Sequence, residues 1–194
     1  MADYSVIADV SETLQTVLTD ALSTLAPGPP VAELHDLSGP VATNPPRITL
    51  FLYEVMEDPT VRNRPATRSI TPPNLTEEKP PMPLLLRYLL TPWSGDILTD
   101  QRMLGRALQV LYDGAILSGP QLSGGLAGTS DALKLKLAPL TLEDRSRVFA
   151  ATQERYHLSV TYEVRVVNLD PINQQQHVPV RERQLIGARP VSGS

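Results

Sequence analysis

Residues 156–167 read Tyr-His-Leu-Ser-Val-Thr-Tyr-Glu-Val-Arg-Val-Val. Tyr156, Leu158, Val160, Tyr162, Val164 and Val166 alternate with His157, Ser159, Thr161, Glu163 and Arg165, and a period of two is the mark of a strand that buries one face. At ~3.3 Å per residue such a segment reaches roughly 40 Å, about twice the usual strand. The expectation is a long strand, wet on its His157 to Arg165 side, with a part that overhangs its own sheet. Unpaired backbone at an overhang is something proteins hide or keep for pairing with another chain.

Outward from this strand, two further segments read as its sheet. Residues 47–56, Arg-Ile-Thr-Leu-Phe-Leu-Tyr-Glu-Val-Met, are apolar on both alternating sets, and residues 84–90, Leu-Leu-Leu-Arg-Tyr-Leu-Leu, repeat the pattern with Arg87 as the only interruption. Strands apolar on both sides are covered on both sides, so these two form the middle of the sheet. Leu133, Leu135 and Leu137 alternate with Lys134 and Lys136, a strand with one wet face, and residues 31–37 make a further short strand. Val6, Ile7, Val10, Leu14, Val17, Leu18, Ala21, Leu22 and Leu25 recur at helical spacing, which predicts a helix over 4–25 that stops at Pro27-Gly28-Pro29-Pro30. Thr99 opens a second helix with its stripe at Met103, Leu104, Ala107, Leu108, Val110 and Leu111, and close packing is the expected reason for Gly105 inside it. Thr141 opens a short third one, with Asp144 in the place of the usual capping-box Glu or Gln. Residues 118–130 read as a loop.

Between the two central strands, residues 59–82 hold Arg62, Arg64, Arg68 and six prolines with almost no periodicity. That is longer than the ~12–15 residues at which an unstructured loop becomes unusual, so the segment is either functional or disordered. After Asp170, residues 178–186 (Val-Pro-Val-Arg-Glu-Arg-Gln-Leu-Ile, with Arg181 and Arg183) fit an edge strand or arm, since Pro179 is unsuited to a central position. Residues 187–194 read as a frayed end. The reading is one α+β domain over 1–170, a mixed and mostly antiparallel sheet with packed helices, followed by a C-terminal arm over 171–194.

Composition narrows the function. The chain has 194 residues and no cysteine, so disulfides, thiolate metal sites and cysteine nucleophiles are excluded. Seventeen basic against 21 acidic residues give a net charge of −4, the wrong balance for a nucleic-acid binder, and two Phe with one Trp are too few for a stacking platform. No apolar run reaches the ~18 residues of a membrane span, and residues 1–10 lack the features of an export signal, so a soluble protein without a membrane partner is expected. His35, His157 and His177 stand apart from one another and outside any metal-binding spacing. Gly124-Gly125-Leu126-Ala127-Gly128 precedes a strand, which leaves no helix N-terminus to complete a phosphate cradle, and it reads as a flexible loop. Asp9 and Glu12 read as a solvated helix face, and Trp93 as packing. No cofactor is expected.

The order of several stretches is similar to the cap, or tail-terminator, family of contractile injection systems, phage-tail-like particles of the antifeeding-prophage type. They are Tyr4-Ser-Val-Ile-Ala-Asp-Val-Ser-Glu-Thr-Leu14, Ile48-Thr-Leu-Phe-Leu-Tyr-Glu-Val55 with Arg62-Asn63, Pro81-Met-Pro-Leu-Leu-Leu-Arg-Tyr-Leu-Leu-Thr-Pro92, Leu104-Gly105 to Leu111, and Leu158-Ser-Val-Thr-Tyr-Glu-Val-Arg-Val166. They cover the chain to about Asp170. The resemblance implies a non-enzymatic homo-oligomer, a six-fold ring that docks on the last layer of inner tube and sheath, stops their growth, and is assembled in the cytoplasm. Candidate contact residues for subunit, tube or sheath are Arg62, Asn63, Arg64 and Arg68 of the proline-rich segment, His157, Ser159, Thr161, Glu163 and Arg165 of the long strand, and Arg181 and Arg183 of the arm. Two rival readings stand beside this one: a small hydrolase or ligand-binding enzyme using His157 or His35, and a peptide-binding domain that works by strand addition.

Overall fold

The computed structural model describes residues 4–25, 28–71, 74–172 and 175–177. Packing divides the chain into two units, residues 1–63 with 81–170, and residues 64–80 with 171–194. In the first unit a six-stranded sheet has the order β1-β2-β5-β8-β7-β6. Its strands are β1 (Val31–Leu34), β2 (Arg47–Glu57), β5 (Met82–Trp93), β6 (Ile116–Ser118), β7 (Ala132–Ala138) and β8 (Val160–Leu169). β1 runs parallel to β2, and every other pair is antiparallel. As expected of apolar segments, β2 and β5 are paired neighbours inside the sheet. The second unit holds a three-stranded antiparallel sheet, β3 (Thr67–Thr71), β4 (Asn74–Glu78) and β9 (Gln175–His177), in that order. The proline-rich segment, expected as an unstructured loop either functional or disordered, therefore contains a paired hairpin.

Two cores lie on the two faces of the large sheet, and adjacent residues of β5 divide between them. Leu86, Tyr88 and Leu90 join the larger core with Val6, Val10, Leu14, Leu18 and Leu22 of α1 (Val6–Leu22) and Met103, Ala107 and Leu111 of α2 (Ile97–Asp113). Leu89 and Trp93 join the smaller one with Leu37 and Phe149, the latter from α3 (Leu142–Ala151). Tyr88 Oη meets Ser11 Oγ at 2.8 Å, so the deepest phenol of the large core is paired with a helix hydroxyl. Burial pushes that phenol up to about 12, with the Ser11 hydrogen bond offsetting part of the shift.

Four local features depart from the sequence reading. Asp96, not Thr99, caps α2, its carboxylate accepting from the Thr99 amide at 2.9 Å and the Thr99 hydroxyl at 2.7 Å. Gly105 is exposed, and a Cβ there would meet nothing within 4 Å, so no contact inside the subunit requires it. Asp9 is buried although Glu12 beside it is exposed. Its carboxylate accepts from Ser5 Oγ at 2.7 Å and from the Gly125 amide at 3.2 Å, while Thr13 Oγ1 accepts from the Ser123 amide at 2.9 Å. This pair of α1 side chains fastens the glycine-rich segment, which forms the 3₁₀ turn Gly124–Leu126 in place of a loose loop. Thr141 caps α3 as its spacing suggests, accepting from the Asp144 amide at 3.1 Å.

Candidate docking surfaces

An open sheet edge is the simplest place for another chain to add, and the large sheet has closed most of its own. In β1, Val31 and His35 direct their amides at β2, which turns Ala32 outward. Both outward groups of Ala32 are taken by α1, its amide by Thr19 Oγ1 at 3.2 Å and its carbonyl by Gln15 Nε2 at 3.1 Å. At the other edge β6 has only three residues, and a very short edge strand offers little ladder to an incoming chain. The sequence reading of an overhanging strand is corrected at its N-terminal end, where residues 156–159 are not strand. β8 begins at Val160 and lies between β5 and β7 over Thr161–Arg165, while past Arg165 it pairs with β5 alone, out to Leu169.

The expected wet side of that strand is also corrected. Ser159 is 0 % exposed, Thr161 2 % and Glu163 8 %, because α3 lies over this face with Phe149 and Val148 against Leu89 and Trp93, and Arg145 Nη1 reaches the Ser159 carbonyl at 2.8 Å. Toward Glu57 the same face becomes ionic. A register shift between Leu52 and Glu54 makes Tyr53 the extra residue of β2 and sets Glu54 opposite Arg87. Arg87 then bridges two carboxylates, donating to Glu54 Oε2 at 2.6 Å and, through Nε and Nη2, to Glu163 Oε1 at 3.1 and 3.0 Å. Arg165 Nη2 holds the other Glu163 oxygen at 3.0 Å, and its Nη1 lies 4.0 Å from Asp58. Burial raises the Glu163 carboxyl, but the hydrogen bonds from Arg165 and Arg87 outweigh it and hold the group below its ordinary value. Asp58 is likewise held low: burial opposes its charge, and the Thr60 hydroxyl and amide, with Arg165, overcome that cost. Five alternating charges thus bind β2, β5 and β8 together on one face.

The candidate contact residues separate accordingly. Glu163 and Arg165 are brought together inside this network, which Arg87, Glu54 and Asp58 complete. Ser159 and Thr161 lie buried, so their side chains do not form an outer surface of the subunit. His157 packs against Trp93 with ring centroids 4.0 Å apart and the planes tilted by 45°, and lies 6.3 Å from Phe149. Arg62 and Asn63 are exposed beyond the Asp58 to Val61 turn, and Arg64 is exposed at the start of the second unit. Arg68 stands in β3 opposite Glu77 of β4. Arg181 and Arg183, with the whole 178–186 segment, lie outside the described residues.

Residues 9–183 match the Pvc16 N-terminal domain family. The chain belongs to that family. The match runs past Asp170 and takes in Arg181 and Arg183, so the family extends into the arm where the sequence resemblance had ended. Two solved structures share the fold of this Pvc16 N-terminal domain. One is the sheath/tube terminator of an extracellular contractile injection system, PVC, in its extended state, at 19% identity and TM-score 0.62 over 100% of this chain. The other is the tube-terminating cap of the anti-feeding prophage, at 19% identity and TM-score 0.59 over 95% of this chain. The chain spans 67% and 61% of their respective lengths. No curated protein matches the sequence.

Proposed function

We propose that this chain is a structural terminator of a contractile injection system, a cap that docks on the end of the inner tube and sheath and halts their polymerisation. The observation that carries the reading is the family match over residues 9–183, joined to a fold shared with two proteins described as terminators of such particles. The cap is a ring, six-fold, assembled in the cytoplasm as part of the particle. Closed cyclic symmetry repeats one contact around the axis and leaves no template for a further layer. Strand addition, where it occurs, belongs to the second sheet, whose outer strand β3 carries Arg68, and the exposed Arg62, Asn63 and Arg64 lead into it. α1 blocks the β1 edge of the large sheet and β8 is enclosed on both sides over Thr161–Arg165, which supports placing the contacts there.

The enzymatic rival fares worse on its own residues. His157 is engaged with the Trp93 ring, and His35 Nδ1 accepts the Leu37 amide at 2.8 Å, a turn-forming contact. Deleting the gene and imaging the particles tests the cap reading. Tubes and sheaths of widely scattered length with bare distal ends are expected; lengths as uniform as before, with distal density retained, would overturn it.

A further inference from the structure

The fork at which β7 and β8 part holds a cleft. The two strands pair as far as Ala138 and Thr161, and Pro139, which has no amide to donate, then leads the chain away. The opening is about 210 Å³ and is lined by Leu137, Pro139, Leu140, Arg145, Val160 and Thr161. Its lining is aliphatic apart from the Arg145 guanidinium and the Thr161 hydroxyl, and Leu137 at its lip is 51% exposed.

The charges around this cleft are unbalanced. α3 carries two acidic residues in its first turn, Glu143 and Asp144, and both face Arg147, at 2.6 and 4.0 Å. Arg145 points the other way, toward the sheet. Among the described residues it has no carboxylate, only the Ser159 carbonyl on Nη1. Lys136 is exposed on β7 opposite Glu163, but both Glu163 oxygens are occupied by Arg87 and Arg165. Among the described residues, two cations thus lack a carboxylate of their own: Arg145, which lines the aliphatic opening, and Lys136, the chain neighbour of its lip residue Leu137.

We propose that this cleft is a docking notch for a segment of a partner protein that presents an aliphatic side chain beside a carboxylate. The aliphatic group fills the space between Leu137, Leu140 and Val160, and the carboxylate takes charge-assisted hydrogen bonds from Arg145 with attraction from Lys136. The notch is assigned from its own lining and is independent of the terminator reading.

The test uses the full chain labelled with ¹⁵N and two synthetic tetrapeptides, acetyl-Leu-Glu-Leu-Glu-amide and its lysine counterpart acetyl-Leu-Lys-Leu-Lys-amide. The acidic peptide is expected to shift the amides of Lys136, Leu137, Leu140, Arg145 and Val160 in a saturable way, while the lysine peptide leaves them in place. Arg145→Met keeps a stem of similar length and should weaken binding about tenfold or more, the scale of one charged hydrogen bond. Should that variant fail to fold for want of its bond to Ser159, Lys136→Glu at an exposed position gives the same readout, a severalfold loss. Equal shifts from both peptides, shifts scattered away from the fork, no shift up to millimolar peptide, or undiminished binding by the folded variants would each overturn the proposal.

Discussion

Arg87 on β5 holds Glu163 on β8 with two nitrogens on a single carboxylate oxygen, Nε at 3.1 Å and Nη2 at 3.0 Å. The two residues are direct cross-strand partners, and the bulge at Tyr53 brings Glu54 to the third nitrogen. The sheet's ionic face is thus a product of register: without the extra residue in β2, Glu54 would fall on the opposite face, against α1 and α2. Each strand of the central trio contributes at least one charge, so the network reports on the whole sheet.

Removing the shared arginine should be costly. Arg87→Met leaves Glu163, 8% exposed, with Arg165 alone and Glu54 with no guanidinium. A loss of about 2 kcal/mol is expected, between the values for surface and for fully buried pairs. Urea unfolding measures it, with Arg87→Met/Glu163→Gln expected to lose less than the sum of the singles. Strict additivity would mean that the contact contributes nothing as a pair.

The same network sets an acid limit. Glu163 and Asp58 titrate below their ordinary values of 4.5 and 3.8 in the folded chain, so through that window the unfolded chain binds more protons than the folded one. Their stabilisation is fully present above those ordinary values and is lost as pH falls through the folded ones. The urea midpoint is expected to drop between about pH 5 and about pH 3, and Glu163→Gln should flatten part of that fall. An identical pH slope in the variant would contradict the assignment.

Gly124 is a position at which a side chain has nowhere to go. Its φ is +59, and an added Cβ would lie 2.1 Å from Asp9 Oδ1. Gly124→Ala is expected to cost about 2 kcal/mol or more, from positive-φ strain and from displacing the carboxylate that holds the Gly125 amide. Thermal or urea unfolding checks it. Paired with Asp9→Ala, the combined loss should fall short of the sum, since the second change removes the atom that the first one strikes.

The legible parts of this fold are those where one surface alone decides the pattern. Val10, Leu14 and Leu18 face a single core and keep helical period, β2 and β5 are apolar on both sides because cores lie on both, and Thr141 announces α3 by its spacing to Asp144. Period-two alternation in β8 showed that its two faces differ, but not that the polar one is dry. That depends on how α3, the preceding element, folds back over the strand and on Leu37 from far upstream. The plugging of Ala32 by Gln15 and Thr19 has no local signal at all, and neither does the burial of Asp9 under Gly125, 116 residues away. The bulge at Tyr53 was hidden for a related reason: one added residue inverts every later assignment without altering composition. Of the candidate contacts, Glu163 and Arg165 were visible as charges on one strand, while Arg87 showed only as an interruption in an apolar run.

β8 as an interior strand carries its own consequence. Tyr162 stands between Tyr88 of β5 and Leu137 of β7, so Tyr162→Pro removes a ladder donor between two strands rather than at a free edge. Loss of cooperative unfolding is expected, seen by circular dichroism and calorimetry of the isolated chain. A soluble, cooperatively folded variant that fails only to assemble would place the pairing of this strand between chains.

The blocked edge of β1 yields the sharpest separation of folding from association. Thr19→Val keeps the shape of the side chain and removes the acceptor for the Ala32 amide, and Gln15→Ala removes the donor to its carbonyl. Each lost hydrogen bond should cost about 1 kcal/mol, and α1 should stay in place because its stripe of Val6, Val10, Leu14, Leu18 and Leu22 is untouched. What changes is that β1, parallel to β2 and four residues long, now offers a bare amide and carbonyl to any passing strand. The double variant is expected to self-associate beyond the parent chain in a concentration-dependent way by light scattering, with the extra species rich in sheet by infrared absorption. Scattering that matches the parent at every concentration would mean that the helix itself, and not these two side chains, keeps other strands away from the edge.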